Sequence, residues 1–230
     1  MRFAILSDIH SNLEAFQSVL ADVQSQNITQ IVCLGDVVGY NANPRECLQL
    51  VWDLNIRCVK GNHDEYCSGE DNVEDINPRA AKAVWWTRNE LIPRERFWLK
   101  NLKYTQTMHN FTMVHATLNS PARWGYVFDP QAAAASFAHQ TTRVCFCGHT
   151  HVPLAFVRDR DGVRGGGYSQ FTMDPAKQYL VNVGSVGQPR DNNPRAAYVV
   201  YDAEAGTIEL RRLQYDLATT LLKIRDAGYL

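Results

Sequence analysis

Four short polar motifs in this chain carry residue types that bind metal ions in proteins. The motifs are Asp8-Ile9-His10, Gly35-Asp36, Gly61-Asn62-His63-Asp64 and Gly148-His149-Thr150-His151. Carboxylate oxygen, imidazole nitrogen and amide oxygen together suit Mn²⁺, Fe or Zn²⁺, whereas a set made only of oxygen atoms suits Mg²⁺ or Ca²⁺. The chemistry indicated by these motifs is therefore that of a transition-metal centre.

Each motif also has an ordinary structural explanation. Asp8-x-His10 alone is more often a turn with a helix cap than a metal site, and a single Gly-Asp pair carries almost no information. Gly61 and Asn62 both tolerate positive φ, so the third motif could form a left-handed turn. The four motifs nevertheless occur together, in order, each after an apolar run. This combination favours one joint metal site.

Buried β-strands are the elements that must position these motifs. Apolar runs precede all four of them, at residues 2–6, 31–34, 56–59 and 144–147. In α/β folds, ligands bind at the edge of the sheet where the strands end. We therefore expect the four junctions to open at one edge and to share a site, with His149 and His151 on one face or aimed at neighbouring ions.

Amphipathic stretches alternate with these strands, which indicates a β-α-β-α-β order over the first part of the chain. Asn12 is expected to cap the first helix, and Pro44 suits the first turn of the second. Residues 77–102 have helical character and are interrupted at Pro93. The aromatic residues of this stretch are expected to belong to the core: Trp85, Trp86, Phe97 and Trp98.

The second half of the chain is richer in predicted strands, at residues 104–108, 111–114, 144–147, 180–183, 197–201 and 207–213. We expect these strands to form a second sheet that is antiparallel or mixed. The glycine-rich stretch 161–167 joins two predicted strands, and we interpret it as a mobile hairpin loop in preference to a substrate lid.

Composition and charge narrow the possible function classes. The chain has 230 residues, of which 45% are hydrophobic and 20% charged, as expected for one globular domain over residues 1–230. The 23 Lys and Arg residues nearly balance the 24 Asp and Glu residues, which leaves a net charge of −1. Such a balance gives no global field for attracting a nucleic-acid backbone or an anionic membrane. Any affinity for phosphate must be local.

Cysteine usage indicates a reducing compartment. The six cysteines include no C-x-x-C pair, and they are Cys33, Cys47, Cys58, Cys67, Cys145 and Cys147. We therefore expect buried, reduced thiols. The first apolar run is too short for an export signal or a membrane span, so a cytoplasmic location without membrane attachment is expected.

The ordered motifs resemble those of the calcineurin-like metallophosphoesterase superfamily. A fifth motif adds to the resemblance, a histidine after a strand in Val114-His115-Ala116. The segment Asn182-Val183-Gly184-Ser185-Val186-Gly187-Gln188-Pro189-Arg190 is similar to that of small bacterial and archaeal phosphoesterases grouped with diadenosine tetraphosphatases. The resemblance implies an α/β fold in which two mixed β-sheets pack face to face with helices on the outside, a four-layer α-β-β-α sandwich.

The resemblance also implies the ligands of two divalent metal ions. Those of the first ion would be Asp8, His10, Asp36 and His151, and those of the second Asp36, Asn62, His115 and His149. Asp36 would bridge the ions, and His63 would lie beside the phosphate without binding metal. His109 is the alternative to His115, but His109 followed by Asn110 fits a hairpin turn better. Substrate contacts would come from Asn62, His63 and Arg190.

The implied activity is hydrolysis of a phosphodiester or a nucleotide phosphoanhydride by a metal-bound hydroxide. The substrate would be a small phosphorylated molecule, with a nucleotide as one candidate, and Mn is favoured over Fe and Zn. Two adjacent dications repel each other strongly and require an anion between them, which agrees with a bridging Asp36. With Asp8 and Asp36 as the anionic ligands, the site keeps about two positive charges and suits a phosphoryl anion.

Two residues depart from the pattern of the protein Ser/Thr phosphatases in this superfamily. Those enzymes extend the second motif to Gly-Asp-x-x-Asp-Arg, whereas this chain has Gly39 and Tyr40 there. Loss of the bidentate Arg argues against phosphoproteins as preferred substrates. Arg190 could replace that cation or could be a solvated loop residue. The residue that orients His63 is left open, since Asp64 suits that role and a turn-capping role equally.

Two other functions are kept as alternatives. The first is a Ser/Thr-type protein phosphatase, against which Gly39 and Tyr40 argue. The second is a non-catalytic interaction scaffold of the same fold, because some relatives have lost metal ligands and serve as interaction modules. The complete ligand set, together with His63, argues against the scaffold.

Overall fold

The computed structural model describes residues 1–69, 73 and 76–228. The strands are β1 (Arg2–Leu6), β2 (Gln30–Cys33), β3 (Arg57–Cys58), β4 (Thr105–Met108), β5 (Phe111–Val114), β6 (Val144–Cys147), β7 (Leu154–Asp159), β8 (Gly162–Gly166), β9 (Gln170–Thr172), β10 (Gln178–Asn182), β11 (Ala196–Asp202) and β12 (Thr207–Leu213). The helices are α1 (Leu13–Ser25), α2 (Pro44–Asp53), α3 (Asn62–Ser68), α4 (Pro78–Glu90), α5 (Pro93–Lys100), α6 (Pro130–Phe137) and α7 (Leu217–Asp226). A short 3₁₀ turn, Pro121–Arg123, precedes α6.

The strands form two mixed six-stranded sheets. The first sheet has the order β3-β2-β1-β11-β12-β9, and the second has the order β4-β5-β6-β10-β7-β8. Strands β1, β2 and β3 are parallel to one another, and so are β5, β6 and β10. The other strand pairs are antiparallel. The structure thus confirms the two mixed sheets that the motifs implied.

The two sheets pack face to face, and helices cover their outer faces. Side chains alternate along β1, so that Phe3 and Ile5 lie in the core between the sheets together with Phe111. The intervening Ala4 and Leu6 lie in the core on the other face, which α1 and α2 cover. Helix α6 packs against β7, β8 and β10 on the outer face of the second sheet. The predicted four-layer arrangement is therefore confirmed.

Most elements lie within two residues of their predicted positions. The predicted strands at 2–6, 111–114, 144–147 and 207–213 coincide with β1, β5, β6 and β12. Asn12 caps α1 as predicted, because its side-chain oxygen accepts a hydrogen bond from the backbone N–H of Ala15 at 3.1 Å. The predicted break at Pro93 separates α4 from α5. His109 and Asn110 form the turn between β4 and β5, which agrees with the hairpin prediction.

The interpretation of residues 161–167 as a mobile hairpin loop is wrong. Gly162–Gly166 forms β8, which pairs with β7 in an antiparallel ladder. A Cβ atom at Gly165 would lie 2.4 Å from Cδ1 of Phe156, closer than any real contact of this kind. Glycine therefore lets β7 and β8 approach each other closely. The glycine-rich composition, which suggests a loop, reflects this close pairing of two strands.

The prediction that all four aromatic residues of the 77–102 stretch belong to the core is wrong for two of them. Trp85 and Phe97 are 48% and 70% exposed, whereas Trp86 and Trp98 are partly buried. Smaller residues form the buried stripe of α4, at helical spacing: Ala80, Ala83, Val84 and Thr87. Hydrophobic character alone could not distinguish the buried face of this helix from its exposed face.

All six cysteines are buried and free, as expected. Burial raises the pKa of the Cys47 and Cys145 thiols well above the usual value, which keeps both in the neutral, unreactive form. In the part of the chain that the structure describes, no helix is both long enough and apolar enough to cross a membrane.

Candidate metal centre

The predicted site residues follow the ends of five strands and meet at one buried location. In chain order they are Asp8, His10, Asp36, Asn62, His63, His115, His149 and His151. Each of these residues is at most 9% exposed. Polar groups at such depth require hydrogen-bond partners or a bound ion, since burial without either is costly.

Strained turns after the strands direct these side chains inward. Five of the residues are in the left-handed region, with φ of 54° at Asp8, 49° at His10, 54° at Asp36, 68° at His149 and 59° at His151. Residues other than glycine adopt this region rarely, and such strain clusters at functional sites. The backbone N–H of His10 donates to the carbonyl of Asp36 at 2.9 Å, which joins the first two turns.

The first group of potential ligands consists of Asp8, His10 and His151. The two imidazoles approach each other through their Nε2 atoms, which are 3.1 Å apart. Asp8 Oδ1 lies 3.2 Å from Nε2 of His151 and 3.6 Å from that of His10. The Nδ1 atoms face the carbonyls of Val38 and Gln188, at 3.1 and 2.6 Å, so Nδ1 of each ring can donate there and Nε2 remains for another partner.

This arrangement fits a divalent cation. Because the Nδ1 atoms face carbonyls, the Nε2 atoms of the two rings are left facing each other and Asp8 Oδ1. Asp8 Oδ1 is fully buried and accepts no hydrogen bond from any described residue. A carboxylate oxygen and two imidazole nitrogens with orienting carbonyls behind them are typical ligands of Mn²⁺, Fe or Zn²⁺.

The second group centres on Asp36. Its Oδ2 atom lies 3.3 Å from Nε2 of His115 and 3.5 Å from Nε2 of His10, which places this oxygen between the two imidazoles. Nδ1 of His115 donates to the carbonyl of Leu34 at 2.9 Å, and its Nε2 is 3.1 Å from Oδ1 of Asn62. Carboxylate, imidazole and amide oxygen therefore converge here as well, on the side of Asp36 away from His151.

His149 lies beside this second group but is not one of the compact sets of potential ligands among the described residues. Its Nε2 donates to the carbonyl of Trp124 at 2.9 Å, and its ring centre is 5.1 Å from that of His115. The ring stacks on Tyr126 at 4.2 Å. If His149 binds metal in this orientation, it must do so through Nδ1, because Nε2 is engaged by a carbonyl.

His63 packs against other rings instead of pairing with a carboxylate. Its ring centre is 4.4 Å from that of Tyr40, 4.9 Å from that of His10 and 6.1 Å from that of Tyr66. Its Nδ1 has no hydrogen-bond partner among the described residues. Gly39 has φ +92°, and a Cβ atom there would lie 2.6 Å from this Nδ1. Glycine at position 39 thus makes room for the catalytic histidine candidate.

Asp64 does not orient His63. The carboxylate accepts hydrogen bonds from the backbone N–H groups of Asp36 at 2.7 Å, Val37 at 2.9 Å and Gly61 at 3.0 Å. It therefore fixes the turn after β2 that carries Asp36. Of the two roles that the sequence left open for Asp64, the structure supports the turn-capping one.

Replacing Asp64 by alanine is expected to lower the free energy of unfolding by about 3 kcal/mol or more, because each buried N–H left without an acceptor costs about 1 to 3 kcal/mol. Urea denaturation followed by circular dichroism measures this loss. The control is Asp53→Ala, which removes an exposed carboxylate on α2 that accepts one bond from Gln49. A loss at Asp64 no larger than at Asp53 would contradict the turn-capping role.

Buried charges in the centre stabilise each other. Burial opposes ionisation of Asp8 and Asp36, yet the surrounding histidines hold the pKa of both carboxyls below the usual value. Burial also opposes protonation of His115, but the carboxylates of Asp36 and Asp8 raise its pKa to about 10. The two ionised carboxylates therefore attract positive charge into a buried site.

Three other groups have pKa values shifted in the opposite direction, two histidines downward and one carboxyl upward. Burial lowers the pKa of His63 to about 3 and that of His149 to about 4, with neighbouring histidines adding to the effect. Burial and the charge of Asp36 raise the pKa of Asp64 to about 7. His63 and His149 are thus neutral imidazoles near pH 7, each with one N–H group and one lone pair.

The segment after β10 supports both histidine turns. Nδ2 of Asn182 donates to the carbonyl of Gly148 at 2.5 Å and to Oγ1 of Thr150 at 2.9 Å. Oγ of Ser185 donates to the carbonyl of Asp8 at 2.9 Å. A Cβ atom at Gly187 would lie 1.9 Å from the carbonyl oxygen of Ile9, so the segment packs directly on the first motif. These contacts give residues 182–187 a structural role, which is to support the turns that carry the proposed metal ligands.

Arg190 lies at the mouth of the centre. Together with Asp36, His63 and His151 it lines a small cavity of about 40 Å³. Its guanidinium carbon is 5.6 Å from the centre of the Tyr40 ring, and its Nη2 donates to the side chain of Gln188. The sequence left open whether Arg190 is a solvated loop residue or a cation of the site. The guanidinium is exposed to solvent and borders the cavity at the same time.

Comparisons with known proteins give relatives over nearly the whole chain. Residues 1–206 match the calcineurin-like phosphoesterase superfamily domain. The uncharacterized protein MJ0912 of Methanocaldococcus jannaschii is 37% identical over 231 residues, which cover 96% of this chain and 90% of that protein. A metallophosphoesterase from Sphaerobacter thermophilus has a TM-score of 0.87 at 36% identity, over 99% of this chain and 94% of its own. The hypothetical protein PH1004 from Pyrococcus horikoshii shares the fold, with a TM-score of 0.81 at 17% identity over 100% and 94%. On this evidence the chain belongs to the calcineurin-like phosphoesterase superfamily.

Proposed function

We propose that this protein hydrolyses a phosphodiester or a nucleotide phosphoanhydride with the help of two divalent metal ions. Membership of the phosphoesterase superfamily supports hydrolysis of a phosphoester at the family level. For this chain, one observation carries the proposal. The carboxylates of Asp8 and Asp36 are buried among the Nε2 atoms of His10, His115 and His151, at distances of 3.2 to 3.9 Å.

The ligands divide between the ions as the motifs imply. The ligands proposed for the first ion are Asp8, His10, Asp36 and His151, and those for the second are Asp36, Asn62, His115 and His149, the last through Nδ1. The position of Asp36 Oδ2 between His10 and His115 supports a bridging role. Mn is the metal that we favour, and the mixture of imidazole and carboxylate ligands also suits Fe and Zn. When bound, the ions supply Lewis acidity that polarises phosphoryl oxygens and promotes ionisation of the attacking water.

The protein's own groups bind the substrate and assist the leaving oxygen. Two dications and the two ionised carboxylates Asp8 and Asp36 leave about two positive charges, which suit a phosphoryl anion. His63 is a neutral imidazole beside the small cavity, and its N–H can donate to the leaving oxygen. Arg190 is placed to bind a phosphoryl oxygen at the cavity mouth.

Replacing Arg190 by alanine is expected to raise KM about tenfold with a smaller change in kcat, because a charged hydrogen bond to phosphate is worth about 1.5 to 3 kcal/mol. Steady-state kinetics with bis(p-nitrophenyl) phosphate measure both constants. Arg195→Ala is the matched control, since Arg195 is also exposed on this loop but does not line the cavity. Equal kinetics of the Arg190 and Arg195 variants would contradict a phosphate contact at Arg190.

The substrate class is tested by competition at matched metal and pH. Bis(p-nitrophenyl) phosphate and diadenosine polyphosphates are expected to have higher kcat/KM than a phosphoserine peptide. The reason lies at position 39, where the space that an Asp would need is filled by His63, and the Asp-Arg clamp is absent. A kcat/KM highest for the phosphopeptide would favour the protein-phosphatase alternative. Metal-loaded protein that hydrolyses none of these compounds would favour the scaffold.

A further inference from the structure

A second, larger pocket adjoins the metal centre. Its volume is about 300 Å³. We call it the aromatic pocket, and its characteristic residues are Tyr40, Tyr66, Trp124, Tyr126, Asn77 and Arg123. None of the sequence motifs pointed to Tyr66, Trp124 or Tyr126. The only signal along the chain is a Trp-Gly-Tyr sequence at positions 124–126, outside any predicted helix or strand.

The aromatic pocket continues the cavity at the metal ligands. Tyr40, Tyr126 and His63 line both spaces. The inner cavity, of about 40 Å³, is much smaller than the aromatic pocket, of about 300 Å³. A bulky substituent on a phosphoryl group bound at the ligands therefore extends outward from the inner cavity. The aromatic pocket is directly adjacent to that exit.

The walls of the pocket suit a flat ring with polar edges. Tyr66, Trp124 and Tyr126 present aromatic surface, while Asn77 and Arg123 add hydrogen-bonding groups at the rim. Arg123 is exposed and forms no ion pair with any acidic residue of the described ranges 1–69, 73 and 76–228. Aromatic rings and an available guanidinium stack on planar ligands, and such stacking tolerates any nucleobase.

Contacts with the metal centre hold the pocket in shape. Tyr126 stacks on His149 with ring centres 4.2 Å apart and planes at 22°. Trp124 contacts the ring of Tyr104 at 5.7 Å, and its carbonyl accepts the N–H of His149. The aromatic walls are thus ordered before any ligand binds, which reduces the entropic cost of binding.

We propose that the aromatic pocket binds the nucleobase of the substrate, so that the substrate class is a nucleotide ester or anhydride. The inference rests on the proposed function, because the phosphoryl group must occupy the neighbouring cavity. It adds a specificity site, whose main contact is the ring of Tyr126. In this proposal the metal centre binds and hydrolyses the phosphoryl group, and the aromatic pocket recognises the base.

The experiment compares two ligands that differ only in the base. Adenosine 5′-monophosphate and ribose 5-phosphate carry the same phosphate and nearly the same sugar. Isothermal titration calorimetry of the Mn²⁺-loaded protein is expected to give a Kd about tenfold or more lower for the nucleotide, since stacking of one base is commonly worth this much. Binding is measured, so the result does not depend on turnover.

Variants assign the preference to the pocket. Tyr126→Leu is expected to reduce the ratio of the two Kd values to near one. Phe97→Leu is the control, because Phe97 is an exposed aromatic residue on α5 that does not line the pocket. Metal content of each variant is measured as well, since Tyr126 stacks on a proposed ligand. Both compounds carry the same phosphate, so an effect of the substitution on phosphate binding changes both Kd values equally and cancels in their ratio.

Three outcomes would overturn the proposal. Equal Kd values for the two compounds in the unsubstituted protein would leave the phosphate site in place and refute the pocket alone. No binding of either compound would contradict the phosphate site and the pocket together. Loss of the preference in both the Tyr126 and the Phe97 variants would show that it does not arise at the pocket and refute the role of Tyr126.

Discussion

Asp36→Asn is expected to reduce hydrolysis more than any other single substitution at the metal centre. Asp36 Oδ2 lies between Nε2 of His10 and Nε2 of His115, so loss of its charge affects both proposed ions. Asparagine retains an oxygen for the bond that Oδ1 accepts from the N–H of His63 at 2.7 Å. The substitution thus removes charge with little change in shape. Loss of an outer-shell partner costs about 10- to 100-fold in metal affinity or activity, and a bridging ligand is expected to exceed that range.

Metal content and kcat with Mn²⁺ supplied measure the effect. Asp8→Asn is the matched comparison and is expected to be milder, because Asp8 Oδ1 is nearest to His151 and its Oδ2 is already engaged by the Ser7 hydroxyl at 2.6 Å. Thermal unfolding of both variants checks that each remains folded. An Asp36→Asn protein that keeps two metals and near-normal turnover would refute the bridging role.

The convergence of the site residues could be predicted from the sequence, because it follows from the positions of the strands. Strands β1, β5 and β6 coincide with the predicted apolar runs, and parallel strands bring their carboxyl ends to one edge. His10, Asp36 and His115 come from three different strand ends, yet the side chains meet within 3.5 Å. Each turn alone has an ordinary explanation, so it was the repetition of polar groups after strands that was informative.

The role of Asp64 could not be predicted because it depends on the local conformation. As a left-handed turn, the third motif would leave the directions of His63 and Asp64 undetermined. In the structure α3 begins at Asn62, and successive residues of a helix diverge by about 100°. His63 consequently faces the cavity, while Asp64 faces the backbone of the turn that carries Asp36.

The aromatic pocket could not be predicted from sequence patterns, for a different reason. Trp124 and Tyr126 belong to an irregular segment between the 3₁₀ turn and α6, where no periodicity identifies a buried face. Trp124 adopts a left-handed conformation with φ 55°, which sequence does not predict for tryptophan. Their importance comes from contacts with His149, a residue more than twenty positions away.

His63→Ala is expected to retain metal and to lose rate by about 10²- to 10³-fold, the usual cost of removing one hydrogen-bond donor to a developing oxyanion. His63 lines the small cavity, and its Nδ1 has no hydrogen-bond partner among the described residues, so an N–H of this ring can serve the leaving oxygen. Its ring also lies in one set of potential ligands with His10 and Asp36. Metal analysis of the variant therefore separates the two roles, because loss of metal would place His63 among the ligands.

The identity of the leaving group gives the sharper test of His63. A p-nitrophenolate delocalises its own charge, whereas an alkoxide needs a hydrogen bond to stabilise it, so the defect of His63→Ala is expected to be much smaller on a p-nitrophenyl diester than on an alkyl diester. His139→Ala is the control, because His139 is an exposed histidine that does not line the cavity. Its kinetics are expected to match those of the unsubstituted protein on both esters. Equal defects of His63→Ala on the two esters would refute a hydrogen bond to the leaving oxygen and leave His63 as an electrostatic contact to the phosphoryl group.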